Sequence, residues 1–229
     1  MAARDKFAKT FEGSSLEHRV ERAYSATNAG NSGADPEFIY EKAQWAEGTI
    51  VMPVAYDDAC MMRLLKHGMG VVTHSGSGPY VYVFKRATGD TISGLNQAAA
   101  KGLSVELNSE LPDTALAARL MKGACVTSIG LSLETQGEFT ATFGLIGLEA
   151  KQVAKTPTPV YPLYDDNLSK WTQASMKTGG SGGTNITTSV KSFNLDIQNN
   201  YEKQISWGSS KTKRPRKVGK SNISGSFTL

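Results

Sequence analysis

Apolar and polar residues alternate with a period of two through much of the chain, and strands are predicted wherever that rhythm persists. The clearest stretch is ACVTSIGLSLETQGEFTATFGLIGLEA, residues 124–150. There Ile129, Leu131 and Leu133 face Phe139, Ala141, Phe143 and Leu145 across a turn at Gln136-Gly137, the pattern of a long hairpin. The later segment SFNLDIQNNYE repeats the rhythm 64 positions on. Ser128, Leu131 and Leu133 overlay Ser192, Leu195 and Ile197, and Thr135-Gln136 overlays Asn199-Asn200, so a second hairpin over Ser192–Trp207 is predicted.

Shorter strands are predicted at EGTIVMPVAY (47–56), with Pro53 at an edge or bulge, at YVYVFKRA (80–87) and at GLSVELNSE, where Leu103, Val105 and Leu107 share a face. LEHRVERA (16–23) fits a strand or a helical turn. One segment has helical spacing, YDDACMMRLLKHGMG. Asp57 or Asp58 can cap its N-terminus, Met61, Leu64 and Leu65 fall on one face, and Gly68 or Gly70 ends it. A helix over Asp58–His67 is therefore expected to pack through those three residues on the outside of a sheet.

Residues 1–12 read as an arm, and ATNAGNSGADP, KTPTPVYPLY and KTGGSGGTN as loops. The fold class is mainly β, a sandwich or barrel with long hairpins and one short packed α-helix. Residues 1–46 form an N-terminal arm and loop region, and 47–229 a single β-sandwich domain. The last segment, SNISGSFTL, alternates with Ile223, Phe227 and Leu229 apolar. An unpartnered terminal strand invites aggregation, so it pairs within the fold or with a neighbouring subunit, or the natural chain continues past Leu229, the reading favoured here.

Composition adds exclusions. With 229 residues, 39% hydrophobic and 20% charged, the chain is of ordinary globular type. No apolar run approaches the roughly 20 residues of a membrane span, and the N-terminal residues lack a signal peptide's apolar core. The two cysteines, Cys60 and Cys125, have no metal-type spacing and are expected to be reduced and buried, in a protein assembled in the cytoplasm. The net charge of +4 comes from one run, KTKRPRKVGK, which holds Lys211, Lys213, Arg214, Arg216, Lys217 and Lys220 without an acid; removing those six cations leaves −2. A basic face spread over the domain, as a nucleic-acid binder would carry, is absent. The run reads as an exposed loop between strands. A docking loop for another subunit is preferred, ahead of a phosphate contact or a plain solvated loop, and nothing else supports nuclear import.

No motif carries catalysis. HSGSGPY around His74 lacks the Lys-Ser or Lys-Thr of a phosphate-cradling loop. His18, His67 and His74 are scattered, and His67 suits a helix C-terminus for electrostatic reasons alone. Asp57-Asp58 and Asp165-Asp166 are adjacent acids that diverge, as caps and turns do, and cannot converge as an acid–base pair. No cofactor is implied.

Three ordered segments carry a resemblance: GTIVMPVAYDDACMMRLLKHGMG, then GLSVELNSELPDTALAARLMKGACVTSIGLSLETQGEFTATFGLIGLEAK, then SVKSFNLDIQNNYEKQISWGSSKTKRPRKVGKSNISGSFTL. Together they resemble the major tail tube proteins of tailed bacteriophages over most of 47–150 and 185–229. The resemblance implies a structural virion protein without enzymatic activity. Six copies would form a ring whose inner strands join into one barrel, and rings would stack into the tube that delivers the genome. The implied partners are the chain itself, other tail proteins such as sheath, terminator, baseplate or tape measure, and transiently the genomic DNA, with assembly in the bacterial host cytoplasm. On this reading the hairpins Thr127–Phe143 and Ser192–Trp207 supply the inner wall, with Ser128, Leu131, Leu133, Phe139, Phe143, Ser192, Leu195, Ile197 and Trp207 its residues. The arm, the loop Asn28–Pro36 and the basic run make contacts between rings or lie on the outer surface. The alternatives are another phage ring protein (a terminator or baseplate component), a secretion-system tube, or a capsid-decoration or carbohydrate-binding module. The last would need an aromatic face, which Trp45, Trp171 and Trp207 are too far apart in sequence to suggest.

Overall fold

A computed structural model describes residues 8–24, 39–55, 58–75, 81–86, 102–108, 118–156, 161, 168–174, 177–178, 184–185 and 190–229, and the structural statements below concern these. In chain order the elements are β1 (Ser15–Tyr24), β2 (Ile39–Pro53), α1 (Ala59–Met69), β3 (Gly70–Ser75), β4 (Val81–Arg86), β5 (Leu103–Asn108), β6 (Ala118–Glu134), β7 (Thr140–Gly147), β8 (Glu149–Val153), the two-residue strands β9 (Lys177–Thr178) and β10 (Thr184–Asn185), β11 (Ser192–Gln198), β12 (Tyr201–Gln204), β13 (Lys213–Lys217) and β14 (Asn222–Thr228). The chain is mainly β with one α-helix, as the alternation predicts; no closed barrel forms among the described residues.

Eight strands build one antiparallel sheet in the order β1-β2-β7-β6-β11-β14, with β5 and β8 against the first half of β6. The 17-residue β6 is its axis, carrying β8 and β7 along one edge and β5 and β11 along the other. β6 turns into β7 through Gln136, whose φ of 68° is the left-handed conformation a tight hairpin needs, and Gly137 N–H donates to Glu134 O at 3.0 Å. β2 begins at Ile39, earlier than the alternation indicated, so β1 and β2 run on past the end of β7 as a two-stranded ribbon. LEHRVERA is strand.

The helix forms where the spacing predicted. Asp58 is its cap: the fully buried carboxylate accepts from Cys60 N at 2.8 Å and Met61 N at 2.9 Å, filling two amides that have no partner within the first turn. It ends at Gly70, with φ of 99°, where a residue with a Cβ would be strained. Met61 and Leu64 are buried and Leu65 packs beside them against Ile50, Met52, Val126, Ile129, Ala141, Phe143, Leu145 and Ile197. Burying each large apolar side chain is worth about 1.5–3 kcal/mol, and this layer between helix and sheet is the core. Gly68 lets the helix approach β6, since a Cβ there would collide with Ile129.

The predicted second hairpin does not form. β11 pairs with β6 and β14, whereas β12 pairs with β13 in a separate two-stranded sheet. The chain is turned away by two asparagines. Asn199 is only 2% exposed; its amide donates to Gly68 O at 2.9 Å and Val126 O at 3.2 Å, and its backbone N–H donates to Thr127 O at 2.7 Å. Asn200 follows in the left-handed region, with φ of 52°. Once Asn199 is anchored, the next residues leave the sheet instead of folding back along it.

Candidate functional site

Cross-strand register assigns the residues of the large sheet to two faces, because directly paired residues point the same way. One face is apolar and covered by α1. On the other, three rows cross the strands: Thr140, Ser132, Asn194 and Ser226; then Val51, Thr142, Gly130, Asp196 and Ser224; then Ser15, Thr49, Gly144, Ser128, Gln198 and Asn222. Nearly all are small or uncharged and polar, Asp196 is the one charge, and neither lysine nor arginine occurs in these rows. The packing is tight at Gly144, where a Cβ would collide with the hydroxyls of Ser128 and Thr127, and open at Gly130, where the nearest atom would be 3.7 Å away.

Both sides of this sheet end in strands with one partner among the described residues, β1 beside β2 and β14 beside β11. β14 is exposed along its whole length. Ile223 (55% exposed) and Phe227 (52%) continue the apolar face beyond the part that the helix covers.

At the end of the polar face lies the β12–β13 hairpin. Tyr201 packs with Ile146 and Cys125 on that side of the sheet. Lys203 Nζ stands 3.5 Å from the centroid of the Trp45 ring. Glu21 pairs with Lys42 at 2.8 Å and Lys203 at 3.0 Å, and hydrogen bonds from Lys42 first and Lys203 second hold its carboxyl below the usual carboxylate value. Gln44 N–H donates to Ser210 O at 2.7 Å, and Thr212 N–H donates to Gln44 O at 2.9 Å. The hairpin is thereby clasped to the β1–β2 ribbon. Beside it Arg19 reaches Glu17 at 2.9 Å and Glu47 at 2.7 Å.

The residues singled out by sequence do not converge on one surface. Leu131, Leu133, Phe143, Leu195 and Ile197 lie on the helix-covered face, whereas Ser128 and Ser192 lie on the polar one. Phe139 is at the β6–β7 turn, its N–H donating to Ser169 O at 3.0 Å, and Trp207 is fully exposed between β12 and β13. The basic run is more than a loop: Lys213, Arg214, Arg216 and Lys217 belong to β13, with Lys211 and Lys220 flanking it. Pairing with β12 and burial of Pro215 account for that order. Sequence reasoning missed the polar rows. Their signal was present in the intervening positions of the same strands, Ser128-Gly130-Ser132, Thr140-Thr142-Gly144 and Asn194-Asp196-Gln198.

Cys60 and Cys125 are free thiols, half-buried and buried; burial first, with Asp58 adding, pushes the Cys60 thiol up to about 11, which suits packing and not nucleophilic attack. Burial, then Lys66 and Arg63, lower the pKa of His67. Among the described residues no cluster of His, Cys, Asp or Glu is arranged to hold a metal ion, and no helix is long and apolar enough to cross a membrane. Asp57, Asp165-Asp166, the loop Asn28–Pro36 and residues 1–7 lie outside the described residues, as does the side chain of His74.

The profile of a protein family described as phage tail tube protein matches residues 6–229, essentially the whole chain. No curated protein matches it.

Proposed function

We propose a wall-forming role for this chain, which belongs to the phage tail tube protein family and is a structural protein of the virion tail. In this reading six copies join side by side into a ring, the β14 side of one meeting the β1 side of the next, and rings stack into a tube. The polar face of the large sheet lines the lumen through which the genome passes, while α1 and the apolar core form the outer layer. Sheath, terminator, baseplate and tape-measure proteins are the expected tail partners, and assembly takes place in the host cytoplasm.

The observation that carries this reading is the polar face itself. An inner wall for DNA should offer short hydrated side chains and no cations, because lysine or arginine would hold the passing phosphates by releasing their counterions. The three rows meet that requirement, with Asp196 their one charge. Lateral closure would also satisfy the backbone groups along the outer side of β14, which is long, exposed and rich in small residues, the kind of edge that soluble monomers protect.

The test is electron microscopy of the purified protein at high concentration, with light-scattering mass alongside. Rings or tubes with a central hole are expected. The double variant Ile223→Lys/Phe227→Lys places charges on two exposed side chains of that strand; it should keep the far-UV spectrum and melting point of the parent and fail to form rings. A parent that remains monomeric, or a double variant that assembles normally, refutes the wall assignment.

A further inference from the structure

We infer that the β12–β13 hairpin is a phosphate-contacting element that binds the backbone of nucleic acid at the end of the polar face. Lys211, Lys213, Arg216 and Lys220 are exposed, and among the described residues none forms an ion pair. Lys211 and Lys213 are two residues apart in extended chain, about 6.6 Å, a step similar to that between successive phosphates of one strand. Glu202 opposes Arg216 across the hairpin and is the acid nearest to them in register. Trp207 projects fully into solvent between the two strands, a flat aromatic surface beside cations, and such pairing of stacking with charge recurs in nucleic-acid grooves.

Among the described residues, several acids already have cations beside them. Glu17 and Glu47 are held by Arg19, Glu21 by Lys42 and Lys203, and Glu149 by Lys122 and Lys151. At the opposite end of the sheet Glu138 stands across from Lys170, whereas Glu134 faces Ser192. Nucleic acid is preferred to a second copy of the chain because Trp207 adds a stacking surface to the cations, which an acidic protein face would not use. Its clasp to Trp45 and Gln44 puts it on the polar side of the sheet. The binding does not rest on the wall reading, which requires only that the three polar rows carry no cation.

The experiment is fluorescence anisotropy of a labelled 20-base-pair duplex titrated with the full chain between 50 and 200 mM salt. Four engaged cations give a log–log salt slope near −3.6, an affinity loss of about 150-fold across that range. In the variant Lys211→Gln/Lys213→Gln/Arg216→Gln the slope should shrink by about 2.7, and Trp207→Phe should remove the change in tryptophan emission on binding. Absence of duplex binding at 50 mM salt, an unchanged slope in the triple variant, or tighter binding of polyglutamate than of the duplex would each overturn the inference, the last in favour of an acidic protein partner. Whether the unaltered chain forms tubes, scored in the same preparations by electron microscopy, tests the wall reading separately.

Discussion

Replacing Asn199 by alanine deletes the amide that ties the end of α1 to β6. The amide donates to two buried carbonyls, Gly68 O at 2.9 Å and Val126 O at 3.2 Å, in a site that is 2% exposed. Alanine leaves both acceptors in place without a donor. A buried acceptor stripped of its partner costs about 1–3 kcal/mol, and the two share one lost group, so Asn199→Ala should lose about 2–4 kcal/mol. For a domain of this size that is a fall in melting temperature of roughly 4–16 °C. Urea and thermal unfolding of the subunit, followed by circular dichroism, measure it, with Gln198→Ala on the exposed polar face as a control expected within about 0.5 kcal/mol of the parent. Asn199→Asp tests the hydrogen-bond argument more sharply. Its carboxylate would face two carbonyl oxygens at pH 7 and be worse than alanine, and the deficit should shrink as pH falls, because a protonated acid recovers one donor. An Asn199→Ala variant as stable as the parent, or an aspartate variant that gains nothing on acidification, refutes this account of the link.

Gly144→Val should cost about 1–3 kcal/mol in the same unfolding assay, because its side chain meets the Ser128 and Thr127 hydroxyls, whereas Gly130→Ala should stay within about 0.5 kcal/mol of the parent. Asp58→Ala should lose about 1–2 kcal/mol of stability, and Asp58→Asn or Asp58→Ser should recover most of it, since each restores an acceptor for the first turn. The Glu21 carboxyl is depressed in the folded chain, so its contribution is present above the ordinary value of 4.5 and is lost as pH falls below it. Protection of the β1–β2 amides, taken as exchange relative to the intrinsic rate at each pH, should fall over that acid range in the parent, with a smaller pH response in Glu21→Gln.

The helix and the β6–β7 hairpin were legible because each is specified locally: Asp58, the Met61-Leu64-Leu65 spacing and Gly70 for one, two alternating arms around Gln136-Gly137 for the other. The partner of β11 was not. Leu195 and Leu131 share a rhythm because they sit directly opposite each other in one sheet, and the overlay of the two segments reflected adjacency, not a repeated hairpin. What turns the chain aside at Asn199 is a contact with Gly68, 131 residues away, which no local pattern reports. The choice of face also eluded sequence reasoning, since alternation says that a strand has two sides without saying which one the helix will cover. Of the apolar positions read as wall, Phe143 and Ile197 lie in the core and Leu131 and Leu195 pack against it, while Trp207 is exposed. A proline at Ser132 would break the subunit itself, as Ser132 lies between β7 and β11.

The order of the strands along the chain also bears on when a subunit becomes competent to join others. β14 is synthesised after every other described element, and it pairs with β11, which itself needs β6 and its two-sided pairing in place. A nascent chain on the ribosome therefore carries a β1 side long before it carries its complement. If rings close through β14 and β1, as proposed, two chains whose β14 is not yet in place could not join, and polymerisation would wait until the sheet has accepted that strand. On that proposal β14 would be a point of control, because anything that keeps it off β11 would hold the subunit in the monomer pool.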